Sequence, residues 1–230
     1  MQFHIRKSAE RGLTDLGWLH SRHTFSFGQY HDPQHMGVSA LRVINDDQVA
    51  PGGGFASHGH RDMEIISYVT QGVIAHRDSM GNVVHLPPGE FQLMTAGTGV
   101  VHSEYNASAT EPLHFLQIWI VPQQRGLTPG YQQQRFAPTA GIQLIAAPEG
   151  RDGSLLLHQD ASLYHVVLAA EQQTTWSVAP SRTLYVHLIR GAMRINGETL
   201  QSGDGVAMTD IATVQLHGST ATEALLFDLP

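Results

Sequence analysis

Two short stretches bring metal-ligating side chains together at one spacing. "FASHGHRDMEI" (55–65) carries His58 and His60, and "GTGVVHSEY" (97–105) carries His102 and Glu104. Side chains at i and i+2 of a strand point the same way. A helix would need the i, i+4 spacing instead. Two such pairs on neighbouring strands of one barrel would aim four ligands at a common point. Three imidazoles and a carboxylate leave one or two open positions on a six-coordinate ion. That donor set suits a divalent first-row transition metal, iron first, with nickel, cobalt, copper, manganese or zinc compatible. A lone His-x-His pair says little. The second pair in phase with it matters, because inward polar groups without a partner are costly to bury.

Other residues compete or stand nearby. Glu64 is in phase with His60 and contends with Glu104 for the same coordination position. Asp62 is also in phase, and is expected at the rim of a turn or paired with Arg61 or Arg77. His76 and Asp78 flank the hairpin turn "HRDSMGN" and read as hairpin polar contacts, with a pocket-rim role as the alternative. His23, His31 and His35 read as structural, in a segment where Phe25, Phe27 and Tyr30 are expected to pack on a barrel. "PGGG" (51–54) lacks the Lys-Ser/Thr and the helix of a phosphate loop, so it reads as a turn.

The elements that must position these residues are short strands. Apolar segments rich in β-branched and aromatic residues recur, as in Val38–Ile44, Glu64–Val69, Leu116–Val121 and Thr183–Ile189. Turns at Pro51–Gly54, Met80-Gly81-Asn82 and Asn196-Gly197 separate them. This spacing predicts an all-β sandwich or barrel. A turn of helix is expected at most at 126–133. The segment 122–140, "PQQRGLTPGYQQQRFAPTA", has no strand periodicity and reads as a crossing linker. The halves on either side repeat weakly: Gly191 corresponds to Gly72, and Gly203-Asp204 to Gly89-Glu90. Two similar β-barrels are therefore expected, over residues 1–125 and 141–230, joined by a linker at 126–140.

Composition narrows the function classes. A chain of 230 residues with 41% hydrophobic content can bury one large or two smaller cores. It has no cysteine, which removes disulfides, thiolate metal sites and cysteine nucleophiles. The formal charge is -7 and Lys7 is the sole lysine, so no basic stripe exists to track a phosphate backbone, and direct nucleic-acid binding is not expected. No apolar run reaches membrane-spanning length, and "MQFHIRKSAERG" lacks the apolar core of a signal peptide. The expected location is the cytoplasm.

The motif Gly52-x5-His58-x-His60-x3-Glu64 looks like the first cupin motif. Gly81-x5-Pro87-x-Gly89 resembles the start of the second, although the His expected a few residues later is missing and His102 arrives instead after "MTAGTGVV". With "RHTFSFGQYHDP" (22–33) and "LRVINDDQVAPGGGF" (41–55), the chain resembles the pirin family of bicupins, densely over 3–121 and more loosely beyond. The resemblance implies two tandem jelly-roll barrels. It implies a metal held by His58, His60, His102 and Glu104 in the first, and a second barrel that has lost its metal. His158, His165, His187 and His217 fall in that second part with no His-x-His pair. The family pattern favours Glu104 over Glu64. The family includes quercetin 2,3-dioxygenases, and the preferred reading is such an activity on a flavonol-like aromatic enol with dioxygen, with Glu104 placed both to ligate and to accept the substrate's hydroxyl proton. Phe55 or Met94 would line the pocket. The alternative is a metal-binding regulatory or redox-sensing protein acting through a protein partner.

Overall fold

The structure, a computed structural model, describes residues 2–136 and 139–230. Each half is a seven-stranded sheet packed on a four-stranded one. In the first half the larger sheet runs, in spatial order, Gly130–Arg135, Glu90–Thr95, Glu64–Gln71, Leu113–Ile120, Leu41–Val49, Leu19–His23 and Gly12–Asp15. The smaller runs Gly54–His60, Val100–Asn106, Ile74–Asp78 and Val83–Leu86. In the second half the larger sheet runs Gln2–Arg6, Gly205–Thr209, Thr183–Arg190, Thr222–Leu229, Ser162–Leu168, Gly141–Ala147 and Leu155–Leu156. Its smaller partner runs Gln173–Ser177, Thr213–Gly218, Ala192–Ile195 and Glu198–Gln201.

The weak sequence repeat has a tertiary cause. Gly72 and Gly191 each follow a long central strand and turn the chain at φ 77° and 87°. A Cβ at Gly72 would lie 2.7 Å from the Pro112 carbonyl oxygen, and one at Gly191 would lie 2.3 Å from that of Ala221. Both carbonyls belong to the segments that enter the neighbouring central strands. A positive φ and a close backbone approach together leave only glycine.

Hydrogen bonding ties the halves across the expected boundaries. Gln2–Arg6 pairs with Gly205–Thr209 of the second half. The expected turn of helix within 126–133 is not formed. Gly130–Arg135 is instead an edge strand paired with Glu90–Thr95. Its polar sequence hid it: Gln132, Gln133 and Gln134 donate through their side chains to the carbonyls of Leu156, His85 and Gly153 at 2.9, 2.9 and 3.1 Å. An edge strand held by such bonds needs no apolar alternation. Ala137 and Pro138 of the expected linker lie outside the described residues.

The larger sheets are covered on both faces, which explains strands such as Glu64–Gln71 that bury six successive residues. One apolar cluster mixes the two halves, including Leu41, Ile66, Phe91, Ile118, Leu163, Tyr185, Leu225 and Phe227. At this junction Glu223 accepts hydrogen bonds from the Tyr68 hydroxyl and from His165 Nε2, the latter at 2.8 Å, and pairs with Arg190.

The two barrel interiors differ in kind. The second is filled by one continuous cluster that includes Val166, Leu184, Val186, Met193, Val214, Leu216 and Leu226. The first is divided. Leu19, Val49, Val69, Ile74, Leu86, Leu113 and Phe115 form one apolar cap; Ile65, Met94, Ala96 and Val100 form another. A polar belt occupies the space between them, and the candidate site lies in it.

His187 is fully buried where the second half faces Arg11 and Asp46 of the first. Burial, reinforced by the Arg11 charge, lowers its pKa to about 3 from the usual 6.5. The folded state therefore refuses a proton that the unfolded state accepts. This group's contribution is complete above pH 6.5 and is lost as pH falls toward 3, by about 1.4 kcal/mol per pH unit. His187→Leu is accordingly expected to flatten the acid limb of stability between pH 6 and 4. Urea unfolding across that range checks it, and parallel limbs in the two proteins would refute it.

Candidate metal centre

The strands Gly54–His60 and Val100–Asn106 pair antiparallel, with Val100 opposite His60 and His102 opposite His58. The register then shifts, so that Glu104 lies opposite Phe55. The extra residue on the Gly54–His60 side is a β-bulge, a device that re-aims side chains beside functional sites. Val100, His102, Glu104 and Asn106 all point inward and are buried, while Val101 and Tyr105 are exposed. The i, i+2 reading of this pair therefore holds.

Three imidazoles converge. His102 Nε2 lies 2.9 Å from His60 Nε2 and 3.1 Å from His58 Nε2. The ring centroids are 4.5 to 4.8 Å apart. His58 Nδ1 donates to the Ala56 carbonyl at 2.8 Å, which leaves its Nε2 as a bare acceptor. Burial, aided by the neighbouring imidazoles, lowers His60 to about 4 and His102 to about 3. Both are neutral at pH 7. Facing lone pairs repel unless a cation lies among them, and neutral imidazole is the form that ligates. The residues present thus fit a divalent ion of the N/O-binding class.

Glu104 joins the site from its other side. Its carboxylate groups within 4.8 Å with His102 and His76, whereas the three facing histidines form their own group. Ser67 Oγ donates to Glu104 Oε1 at 3.2 Å, and Gln117 Nε2 donates to Oε2 at 3.0 Å. These partners belong to a transverse polar row. His23 lies opposite Asn45, Asn45 opposite Gln117, Gln117 opposite Ser67, and Ser67 opposite Gln92. The row crosses five strands of the larger sheet at one level and faces the histidines.

A cavity of about 260 Å³ opens onto this centre. His58, His60 and Glu104 line it together with Leu16, Leu19, Phe27, Phe55 and Trp119, and a polar wall of Thr14, Ser21, His23, Asn45, Asp47 and Gln117. Trp119 packs edge-on against His60 and Phe27, with centroids at 5.0 and 5.3 Å.

The other expected residues are distributed as follows. Glu64 is buried away from the three histidines; its Oε2 accepts from Thr95 Oγ1 at 3.1 Å and faces His158 Nδ1 at 3.2 Å. It therefore ties the two halves together. Asp62 sits at a turn with φ 51° and accepts from the Gly126 amide at 2.7 Å rather than pairing with Arg61 or Arg77. Asp78 holds its hairpin, accepting from the Met80 and Asn82 amides at 2.9 and 3.1 Å. His76 does more than the expected hairpin contact: it is buried, 3.1 Å from Asp78 Oδ2, beside His102 and Glu104. Phe55 lines the cavity. Met94 does not; it is wholly buried beside Ile65 and Val100. His31 and His35 lie away from the cavity, but His23 lines it. Its Nε2 is 2.8 Å from Thr14 Oγ1, and its Nδ1 is 2.8 Å from Asn45 Oδ1.

Sequence reasoning missed Asn45, Asp47, Ser67 and Gln117, and it did not place His23 on the cavity wall. A signal existed. Ser67 and Gln117 are polar residues at inward positions of largely apolar strands, Glu64–Gln71 and Leu113–Ile120. In a covered sheet such positions demand a partner or a ligand.

Fold and centre together define a bicupin: two tandem barrels, the first with three convergent imidazoles and a carboxylate beside an aromatic cavity, the second packed solid. The chain belongs to the pirin family, whose profile matches residues 3–120, and a quercetinase C-terminal cupin domain matches 144–229. It is 49% identical over 227 residues to a quercetin 2,3-dioxygenase of Escherichia coli K12, covering 99% of this chain and 98% of that one. A putative quercetin 2,3-dioxygenase of Pasteurella multocida is 44% identical, covering 98% of each. The crystal structure of a bacterial pirin from Escherichia coli in complex with nickel(II) superimposes with a TM-score of 0.97 at 49% identity, covering 100% of this chain and 99% of that one. Among the described residues no helix is long and apolar enough to cross a membrane.

Proposed function

We propose that this chain is a metal-dependent dioxygenase that cleaves a flavonol such as quercetin. The observation that carries this reading is the set of three Nε2 atoms facing one another beside an aromatic-walled cavity that His58, His60 and Glu104 line. Similarity to quercetin 2,3-dioxygenases and to a nickel-bound pirin supports it. His58, His60, His102 and Glu104 would hold the ion, with iron as our assignment for the resident metal and nickel, cobalt, copper, manganese and zinc compatible with the donors. When bound, the ion supplies Lewis acidity that stabilises an aromatic enol as its anion.

The chain's own residues supply the remainder. Phe27, Phe55 and Trp119 present aromatic faces and edges to a flat substrate, and with Leu16 and Leu19 they keep water out. Glu104 accepts the proton of the substrate hydroxyl. Ser67 and Gln117 each occupy one lone pair of its carboxylate, fixing its plane; a carboxylate has about four acceptor sites, so capacity remains for the substrate. Metal analysis of freshly purified protein, with flavonol depletion measured after metal reconstitution, tests the reading. Wild-type protein is expected to consume quercetin and His58→Ala to lose that activity. Equal turnover in the two proteins would sink the proposal.

A further inference from the structure

The polar wall of the cavity contains a carboxyl that the proposed reaction does not use. Asp47 lies on Leu41–Val49, between Ser21 and Phe115 on the flanking strands, and points to the barrel interior. It is 3% exposed and lines the same cavity as His58, His60 and Glu104. Its neighbour Asp46 points to the opposite face and takes the nearby cations: Arg11 at 3.1 Å and His114 at 2.5 Å. Among the described residues no ion pair involves Asp47. The Ser21 hydroxyl, opposite it on the neighbouring strand, is a hydrogen-bond partner.

Such a carboxyl is incomplete. A buried acid with neither a cation nor a full set of donors is an unfavourable arrangement unless something else meets it. Here the remaining direction is the cavity, whose other walls are Leu16, Leu19, Phe27, Phe55 and Trp119. Burial, with Asp46 and Glu104 adding negative charge nearby, pushes the carboxyl up to about 7, against the Ser21 hydrogen bond and His114. Near neutrality it can therefore either accept or donate a hydrogen bond, which is what a phenolic hydroxyl can match.

We propose that Asp47 is a specificity-determining residue that hydrogen-bonds a ring hydroxyl of the substrate other than the one presented to the three histidines. The ligand class is thereby narrowed to aromatic enols carrying at least one further phenolic hydroxyl. This rests on the flavonol reading of the cavity. The chemistry is one of selection: a site built to bond a hydroxyl is left with an unpaired polar group when that hydroxyl is missing, and rejects the analogue for that reason. An apolar cavity alone distinguishes such pairs poorly.

The test compares quercetin with 3-hydroxyflavone, which keeps the enol and lacks every other hydroxyl. Both dissociation constants are measured by absorbance titration on the metal-loaded full chain. Wild-type protein is expected to prefer quercetin by about tenfold or more. Asp47→Ala is expected to bring the ratio of the two constants close to one, and Asp47→Asn, which keeps a donor and an acceptor, to restore most of it. A ratio within one preparation is insensitive to partial misfolding, which weakens both ligands alike. Equal affinity in wild type, or an unchanged ratio in Asp47→Ala, would overturn the role of Asp47 while leaving the flavonol reading intact. Failure of wild type to bind or consume either compound would overturn both.

Discussion

Replacing His102 with alanine is expected to remove bound metal and flavonol turnover together. Its Nε2 is the atom that both other imidazoles face, at 2.9 Å from His60 and 3.1 Å from His58. Without it the His58–His60 pair remains, on a single strand. Loss of groups that merely orient ligands costs about 10- to 100-fold in metal affinity, so loss of a direct donor is expected to exceed that range. Metal content after dialysis and isothermal titration with Fe(II) or Ni(II) read the effect. Circular dichroism separates it from unfolding, since the apolar caps on either side of the site do not depend on His102. A His102→Ala protein that retains stoichiometric metal would overturn the assignment of the centre.

Glu104→Gln is expected to divide the two properties that His102→Ala loses together. The three facing histidines form a group without Glu104. Glutamine keeps a carbonyl oxygen that can still ligate, so metal affinity should fall less than in His102→Ala, and excess metal should restore occupancy. Turnover at full occupancy should still fall by about 100- to 10,000-fold, the range for a positioned general base. Glutamine keeps the shape but not the basicity. It also turns an NH2 group toward either Ser67 or Gln117, both of which donate to Glu104. Single-turnover kinetics at saturating metal would show the split. Equal losses of metal and turnover, both cured by added metal, would reduce Glu104 to a ligand only.

These two residues show how far spacing alone could reach. The i, i+2 pairs singled out His58, His60, His102 and Glu104 as candidates because strand geometry fixes which residues share a face, and the three imidazoles do face one another. The contest between Glu64 and Glu104 could not be settled in that way. Both are in phase, and phase says nothing of what lies across the barrel. The structure separates them through partners: Glu64 turns to Thr95 and to His158, which is remote in sequence, whereas Glu104 is drawn inward by Ser67 and Gln117.

The edge strand Gly130–Arg135 was illegible for a related reason. Periodicity reports burial against a core, and this strand is held by glutamine side chains bonded to backbone carbonyls. The paired glycines were legible as a repeat, but their cause, a carbonyl of a neighbouring segment pressing on the Cα, was not.

The sequence by itself determined the all-β class, the two-barrel plan, the absence of thiol chemistry and the half of the candidate site that lies along single strands. Each of these depends on local alternation, turn chemistry or composition. Only the tertiary structure decided the other half. It joined His23, Asn45, Gln117, Ser67 and Gln92 into one polar row, moved His76 from a hairpin contact to the side of His102, and left Asp47 facing the cavity. The reason is physical: which side chains meet across a sheet depends on register between strands far apart in sequence, and that register is set by the packing of the whole barrel.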